Sequence, residues 1–487
     1  MKNLKYLILF AFVFMVWNCE EMVFIEEMPE SDYLLSGVNA ETLEGLILGT
    51  YEPLARSRGR LWESHYGSYL ELMGEYTLSR NGGFNRFATY NFDAVEPNIV
   101  NAWTTFYEAI GRANFLIQSV EENTNLSADV RDRAIAEGRF IRALVYYQLV
   151  RAWGEVPLRL APVSNTDEIG QPLASIDEIY AQIIADLQFA ENALPETVPA
   201  ANVGRATKGA AITMLADVYL TLGDYQNAHS KALEVINNKD AFGYGLEPSF
   251  DVLYSATSPT NPEDVFSIKF AQIRAQGNFL TAYAHDARAA AAGLAARGLR
   301  FYSVFENVPL IRDWDTQDLR RELNLYDTIT IDGECVPAEI PLDGDYFLGK
   351  YIDPDAPEET AAGNDFYIYR YADVLLIFAE TENQLNGPTT GAYDAINQVR
   401  RRGYGVDINT PSELADLPQD LSQTEFDDLI FQERGYEFFF ECKRWFDMKR
   451  TDRWERIADE SPIKPVPTQG EFWPIPNVEI ANNPDIN

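Results

Sequence analysis

The stretch "SIDEIYAQIIADLQFAENAL" limits what this chain can become. Ile176, Ile179, Tyr180, Ile183, Ile184, Leu187 and Ala190 recur at intervals of three and four residues, so they fall on one stripe of an α-helix. Ser175 precedes the stripe and Glu178 stands three residues on, the reciprocal pattern that closes a helix N-terminus. "AEGRFIRALVYYQLVRAWG" repeats the period with Phe140, Ala143, Leu144, Tyr147 and Val150, and stops at Gly154 with Pro157 beyond. A stripe of this kind must be buried against another element, and most of the sequence is written this way. The expected class is mainly α.

The helices come in pairs. In "TMLADVYLTLGDYQNAHSKALEVI", Ala216 and Leu220 precede a turn at Gly223, and Tyr225, Ala228 and Ala232 follow at helical spacing. This resembles a tetratricopeptide unit, in which small residues let two antiparallel helices approach closely. "YADVLLIFAETENQLNGPTTGAYDAINQVRRRG" repeats the plan, with Gly391 and Ala395 opening its second helix. "TLEGLILGTYEPLARS" and "AWTTFYEAIGRANFLIQSVEE" are expected to supply further pairs. Two segments break the pattern. Residues 56–92 are rich in Gly, Ser, Arg, Asn and aromatics. Residues 240–365 mix turns, strand-like runs such as "DVFSIKF" and an alanine-rich helix expected near 286–296. Long irregular segments on a rigid helical frame are where binding usually resides.

The N-terminus has a different grammar. Lys2 and Lys5 precede an apolar run from Leu7 to Trp17. That run is short of the roughly 20 residues that span a bilayer, and it suits the core of a secretory signal. Trp17 and Asn18 do not form a small-residue cleavage site, but Cys19 follows them. A lipoprotein signal, cut just before a cysteine bearing a diacylglycerol, accounts for this arrangement. Residues 1–18 are then signal peptide, 19–40 an acidic tether, 41–240 a helical region with an aromatic loop at 56–92, and 241–487 a second region.

Lys plus Arg number 39 and Asp plus Glu 75, a formal charge of 39 − 75 = −36. Nucleic acid is an unsuitable partner for such a chain, since phosphates demand a basic footprint. Cys335 and Cys442 are too few for a disulfide framework, and Cys442, in an apolar run, is expected as a buried free thiol. His65, His229 and His285 lie far apart and match no metal-ligand spacing, and no cofactor motif is present. Glu433, Glu437 and Glu441 fall at i, i+4 and i+8, which would place them on one helix face. Interspersed Arg434, Lys443, Arg444, Lys449 and Arg450 favour a structural ionic network there over catalysis.

Four segments together resemble the SusD/RagB family. They are "AEGRFIRALVYYQLVRAWGEVPL", "YIYRYADVLLIFAETENQL" with "AINQVRRRGYG", "ERGYEFFFECKRWFDMKR", and the tail "FWPIPNVEIANNPDIN". Cys442 stands where that family usually has glycine. The resemblance implies a SusD-like fold, with four tetratricopeptide-like helix pairs as a frame and a large loop-rich part with short strands. It implies a lipoprotein anchored at Cys19 in the outer membrane, facing the cell exterior, and a SusC-like TonB-dependent transporter as partner. The ligand would be an oligosaccharide or, in the RagB branch, a peptide, with no catalytic residue, cofactor or metal. The arginines and glutamates of the signature, Arg139, Arg142, Glu433, Arg434 and Arg444, are read as structural salt bridges. Readings from other classes are a helical-fold glycosidase and a tetratricopeptide scaffold that binds protein.

The expected ligand site combines residue chemistry with family position. In "TLSRNGGFNRFATY", Gly82 and Gly83 would form a flexible turn presenting Phe84 as a stacking platform, with Arg80, Asn81 and Arg86 as donors. "QGNFLTAYAHDAR" would lie across from it and offer Asn278, Phe279, Tyr283 and His285, and Trp314 is a further candidate. Phe84→Ala or Tyr283→Ala would then weaken binding and leave the fold untouched.

Overall fold

The computed structural model describes residues 39–487 apart from positions 57–60, 63, 122, 164, 166, 167, 259, 455, 456, 466, 468–471 and 487. Cys19, the signal segment and all but the last two residues of the acidic tether lie outside the described residues.

In chain order the first elements are α1 (Ala40–Ala55), α2 (His65–Met73), β1 (Thr77–Ser79), α3 (Gly82–Ala88), α4 (Pro97–Glu121) and α5 (Ala128–Trp153). Next come α6 (Ile176–Ala193), α7 (Lys208–Thr221), α8 (Tyr225–Asn237), β2 (Asp264–Ile268), α9 (Leu280–Ala284), β3 (Tyr302–Val304) and β4 (Phe366–Arg370). The chain continues through α10 (Tyr371–Asn386), α11 (Thr390–Gly403), α12 (Gln423–Glu437) and α13 (Arg444–Arg450).

The frame is a continuous stack in which α1 packs on α4, α4 on α5, and so on through α6, α7, α8, α10 and α11. The expected caps are present: Ser175 and Glu178 close α6 reciprocally, and α5 ends at Gly154 with φ +77. Close packing of α7 on α8 rests on Ala216, Ala228 and Ala232, all buried, with Gly223 at φ +71 making the turn. Gly209 on α7 has a different duty. A Cβ there would fall 2.6 Å from the Tyr244 ring, so the glycine admits that ring. The hydrophobic core runs from Leu54 to Trp473 and draws on both the 41–240 and 241–487 regions. Among the described residues no helix is long and apolar enough to cross a membrane.

Beside the frame, β1 pairs antiparallel with β3 and β2 with β4. The alanine-rich segment at 286–296 is a series of turns and not the expected helix. Its ends are drawn together, because Leu299 and Phe301 donate backbone N–H bonds to Ala282 and Tyr283, and Arg300 to His285.

The glutamates of the signature sit in a buried ionic network. Glu433 accepts from Arg320 at 2.6 Å and from Arg400 at 2.9 Å. Glu437 accepts from Arg370 at 2.7 Å, Arg402 at 2.5 Å and Arg320 at 2.9 Å. Glu441 accepts from Arg370 at 2.9 Å and Lys350 at 2.8 Å. Glu441 does not share a helix face with the other two: α12 ends at Glu437, and Phe440 and Cys442 then take positive φ. Arg142 pairs with Asp186, Arg434 with Asp447, Arg444 with Glu75 and Arg139 with Glu121. Burial alone would push Glu441 up, but Arg370 and Lys350 outweigh it and hold the carboxyl at about 2. Removing one partner from such a network leaves a buried charge uncompensated, at a cost of about 3–5 kcal/mol. Cys335 and Cys442 are free thiols, exposed and buried respectively.

Candidate ligand-binding face

The candidate face is assembled from three stretches of backbone. β1 pairs with β3 in the register Thr77↔Val304, Leu78↔Ser303 and Ser79↔Tyr302, and Arg80 extends the ladder by donating its N–H to Phe301 O at 2.9 Å. Residues 299–301 bond in turn to 282–285. The two sequence-selected segments are thereby brought together, with 299–304 between them.

Where the individual side chains go differs from the expectation. Gly82 and Gly83 do not form a flexible turn. They begin α3, and the Asn81 side chain caps it by accepting from Gly83 N at 3.0 Å and Phe84 N at 3.3 Å. Phe84 is therefore not a solvent-facing platform. It is 5% exposed, among His65, Tyr69, Tyr283 and Phe301 at ring distances of 5.1 to 5.4 Å. The sequence held the signal for this, since Phe84, Phe87 and Ala88 occupy one helical stripe, the buried side of α3.

Tyr283 is 3% exposed and stacks on Phe301 at 4.6 Å and 10°. Asn278 is fully buried and serves the backbone: its Oδ1 accepts from Leu280 N at 2.6 Å, and its amide donates to Asn364 O. Trp314 belongs to the core, stacked on Tyr436 at 4.6 Å with its indole N–H on Asp318. Burial removes Phe84, Tyr283, Asn278 and Trp314 from direct contact with a ligand, the three rings because aromatic area is first used to fill a core. His285 is buried as well, and burial pushes it down to about 4, so it is neutral at pH 7.

What remains at the surface is a rim. Phe279 and Phe301 are half-buried, Phe279 leaning on Tyr283 at 4.5 Å. Arg80 and Arg86 are exposed, and Asn81 is half-buried. Phe301 was missed in the sequence, since its place opposite Arg80 depends on pairing across more than two hundred residues. A separate cleft of about 290 Å³ lies in the same loop-rich part, lined by Phe250, Tyr254, Gln272, Leu323, Ile352 and Asp353 among others. Asn364 connects the two, accepting from Asn278 and donating to Tyr254 O and Ile352 O, both at 3.0 Å.

The helical stack thus carries a loop-rich half with an aromatic, polar-edged rim. Residues 339–487 match the profile described as the SusD family, and residues 24–220 match one described as "Starch-binding associating with outer membrane". SusD-like protein P2 of Formosa agariphila is 30% identical over 478 residues, covering 91% of both chains. A SusD-like protein of Bacteroides ovatus is 27% identical over 399 residues, covering 75% of this chain and 68% of its own. The chain belongs to the SusD/RagB family.

Among solved structures, a SusD homolog from Bacteroides thetaiotaomicron superposes with a TM-score of 0.80 at 23% identity, covering 95% of this chain and 99% of that one. Surface glycan-binding protein A from the same species, in complex with laminarihexaose, superposes with a TM-score of 0.75 at 19% identity, covering 91% and 98%. At these identities the likeness establishes the fold.

Proposed function

We propose that this chain is a lipoprotein of the outer membrane, facing the cell exterior, that binds an oligosaccharide and passes it to a SusC-like TonB-dependent transporter. The observation that carries the ligand reading is the rim: two half-buried rings, Phe279 and Phe301, rest on an immobilised aromatic base and are edged by Arg80, Asn81 and Arg86. A sugar ring offers an apolar face to stack and hydroxyls to hydrogen-bond, so it needs this combination of apolar floor and a few polar groups. Binding of this kind requires no activated nucleophile. Family membership, the starch-binding description of the matching profile and the laminarihexaose complex of one structural neighbour support the reading. Anchoring is assigned to Cys19, where two or more acyl chains at about 0.8 kcal/mol per buried methylene hold a protein durably.

The test is parallel screening of the purified protein against glycan and peptide arrays, with a product analysis of any bound glycan. Glycan binding without cleavage is the expected result. Selective peptide binding would overturn the oligosaccharide reading, and turnover would make the chain an enzyme.

A further inference from the structure

The segments that carry the rim are rich in basic side chains. Residues 76–92 and 264–305, which hold the face and its flanks, contain seven basic side chains and two acidic ones, Asp264 and Asp286, in a protein of net charge −36. Six of the seven meet carboxylates. Arg86 pairs with Glu96, Lys269 with Asp264 and Asp365, Arg274 with Glu358, Arg288 with Asp286, Arg297 with Glu359 and Arg300 with Glu339.

Arg80 does not. Among the described arginines only Arg80 and Arg159 lack a carboxylate partner, and Arg159 spends its guanidinium on the carbonyls of Glu168 and Ile169. The Arg80 guanidinium is exposed yet fixed, donating through Nε at 3.2 Å and Nη2 at 2.8 Å to Leu299 O. No described group accepts from its Nη1. Its own backbone N–H bonds to Phe301 O, so the fork is tied to the backbone that carries a rim ring.

We infer that the glycan taken by this face is anionic, with its carboxylate or sulfate-ester group received by Arg80. The inference rests on the reading of the rim as the ligand site. A guanidinium held in place presents paired N–H donors that match two oxygens of one oxyanion, which a lysine would meet only as a point charge. The carboxylates on this face, Glu96, Asp286 and Glu339 among them, are each engaged by another cation, and charges beyond about 8 Å are largely screened at physiological ionic strength. Arg86 adds a second exposed cation on the same edge, its ion pair with Glu96 a long one at 3.3 Å.

Affinity electrophoresis tests this with four gels, containing polygalacturonate, a sulfated galactan, the same galactan after desulfation, or laminarin. The expected result is retardation by one of the anionic polymers beyond that by the neutral ones, weakening as salt is raised. Polygalacturonate alone would mark a carboxylate site and the sulfated galactan alone a sulfate site. Arg80→Ala should lose at least tenfold in affinity at unchanged Tm, and Arg80→Lys, which keeps the charge, should fall between. Equal retardation by neutral polymers, or an Arg80→Ala variant that binds as the wild type does, would overturn the anionic assignment and leave the glycan reading standing. Retardation in none of the gels, with a peptide bound instead, would overturn both.

Discussion

The sulfur of Cys442 lies 2.9 Å from the point that a Cβ on Gly67 would occupy. Cys442 itself has φ +63, a left-handed conformation that glycine adopts most readily. The side chain that this chain carries at 442 is accommodated because α2 carries none at 67.

Gly67→Ala should therefore destabilise by about 1–3 kcal/mol through overpacking. Combined with Cys442→Gly, much of that loss should return; part will persist, since the new methyl also meets Trp62 O at 3.1 Å. Urea unfolding of both single variants and the double variant gives the coupling. Strictly additive losses would contradict the contact.

Arg370 is fully buried and bonded to Glu263, Glu437 and Glu441. Arg370→Met should cost about 3–5 kcal/mol, measured by denaturant unfolding. The same network sets an acid limit. Glu441 is held at about 2, below its ordinary 4.5, so the stability it contributes is present above pH 4.5 and lost as pH falls toward 2. Tm followed downward from pH 6 should drop through this window in the wild type, and less steeply in Glu441→Gln. Parallel curves would remove Glu441 from the account.

Much of the frame was readable because helix stripes and caps are local: Ser175 with Glu178 needs only four residues to declare itself. The charged residues of the signature were readable as ion pairs, though not their partners Arg320, Arg370 and Arg402, which distant segments deliver. The alanine run at 286–296 misled because helix propensity is a weak prior that tertiary contacts override. Gly298, whose Cβ would collide with Asp286 O, lets the chain fold back on itself there. Phe84 and Tyr283 were located correctly as neighbours, but a list of aromatics does not say which ring is the floor and which the rim.

Floor and rim make opposite demands on substitution. Phe84→Ala should destabilise by about 3–5 kcal/mol, as a truncated core aromatic does. Phe279→Ala should leave Tm nearly unchanged and weaken glycan binding by about 1–3 kcal/mol, read by titration calorimetry. A Phe84→Ala variant as stable as the wild type would return that ring to the surface.

Cys19→Ala should release the protein from the membrane fraction into the soluble fraction in cells expressing the full chain. A variant that still sediments with outer membranes would place the anchor elsewhere.

The central claim is that ligand meets the face built from 78–84, 278–284 and 299–304. Hydrogen–deuterium exchange with and without the glycan identified by array measures this directly. Slowed exchange concentrated in those three segments is the expected result. Protection confined to 250–257 and 349–355, the walls of the separate cleft, with the rim unchanged, would contradict it.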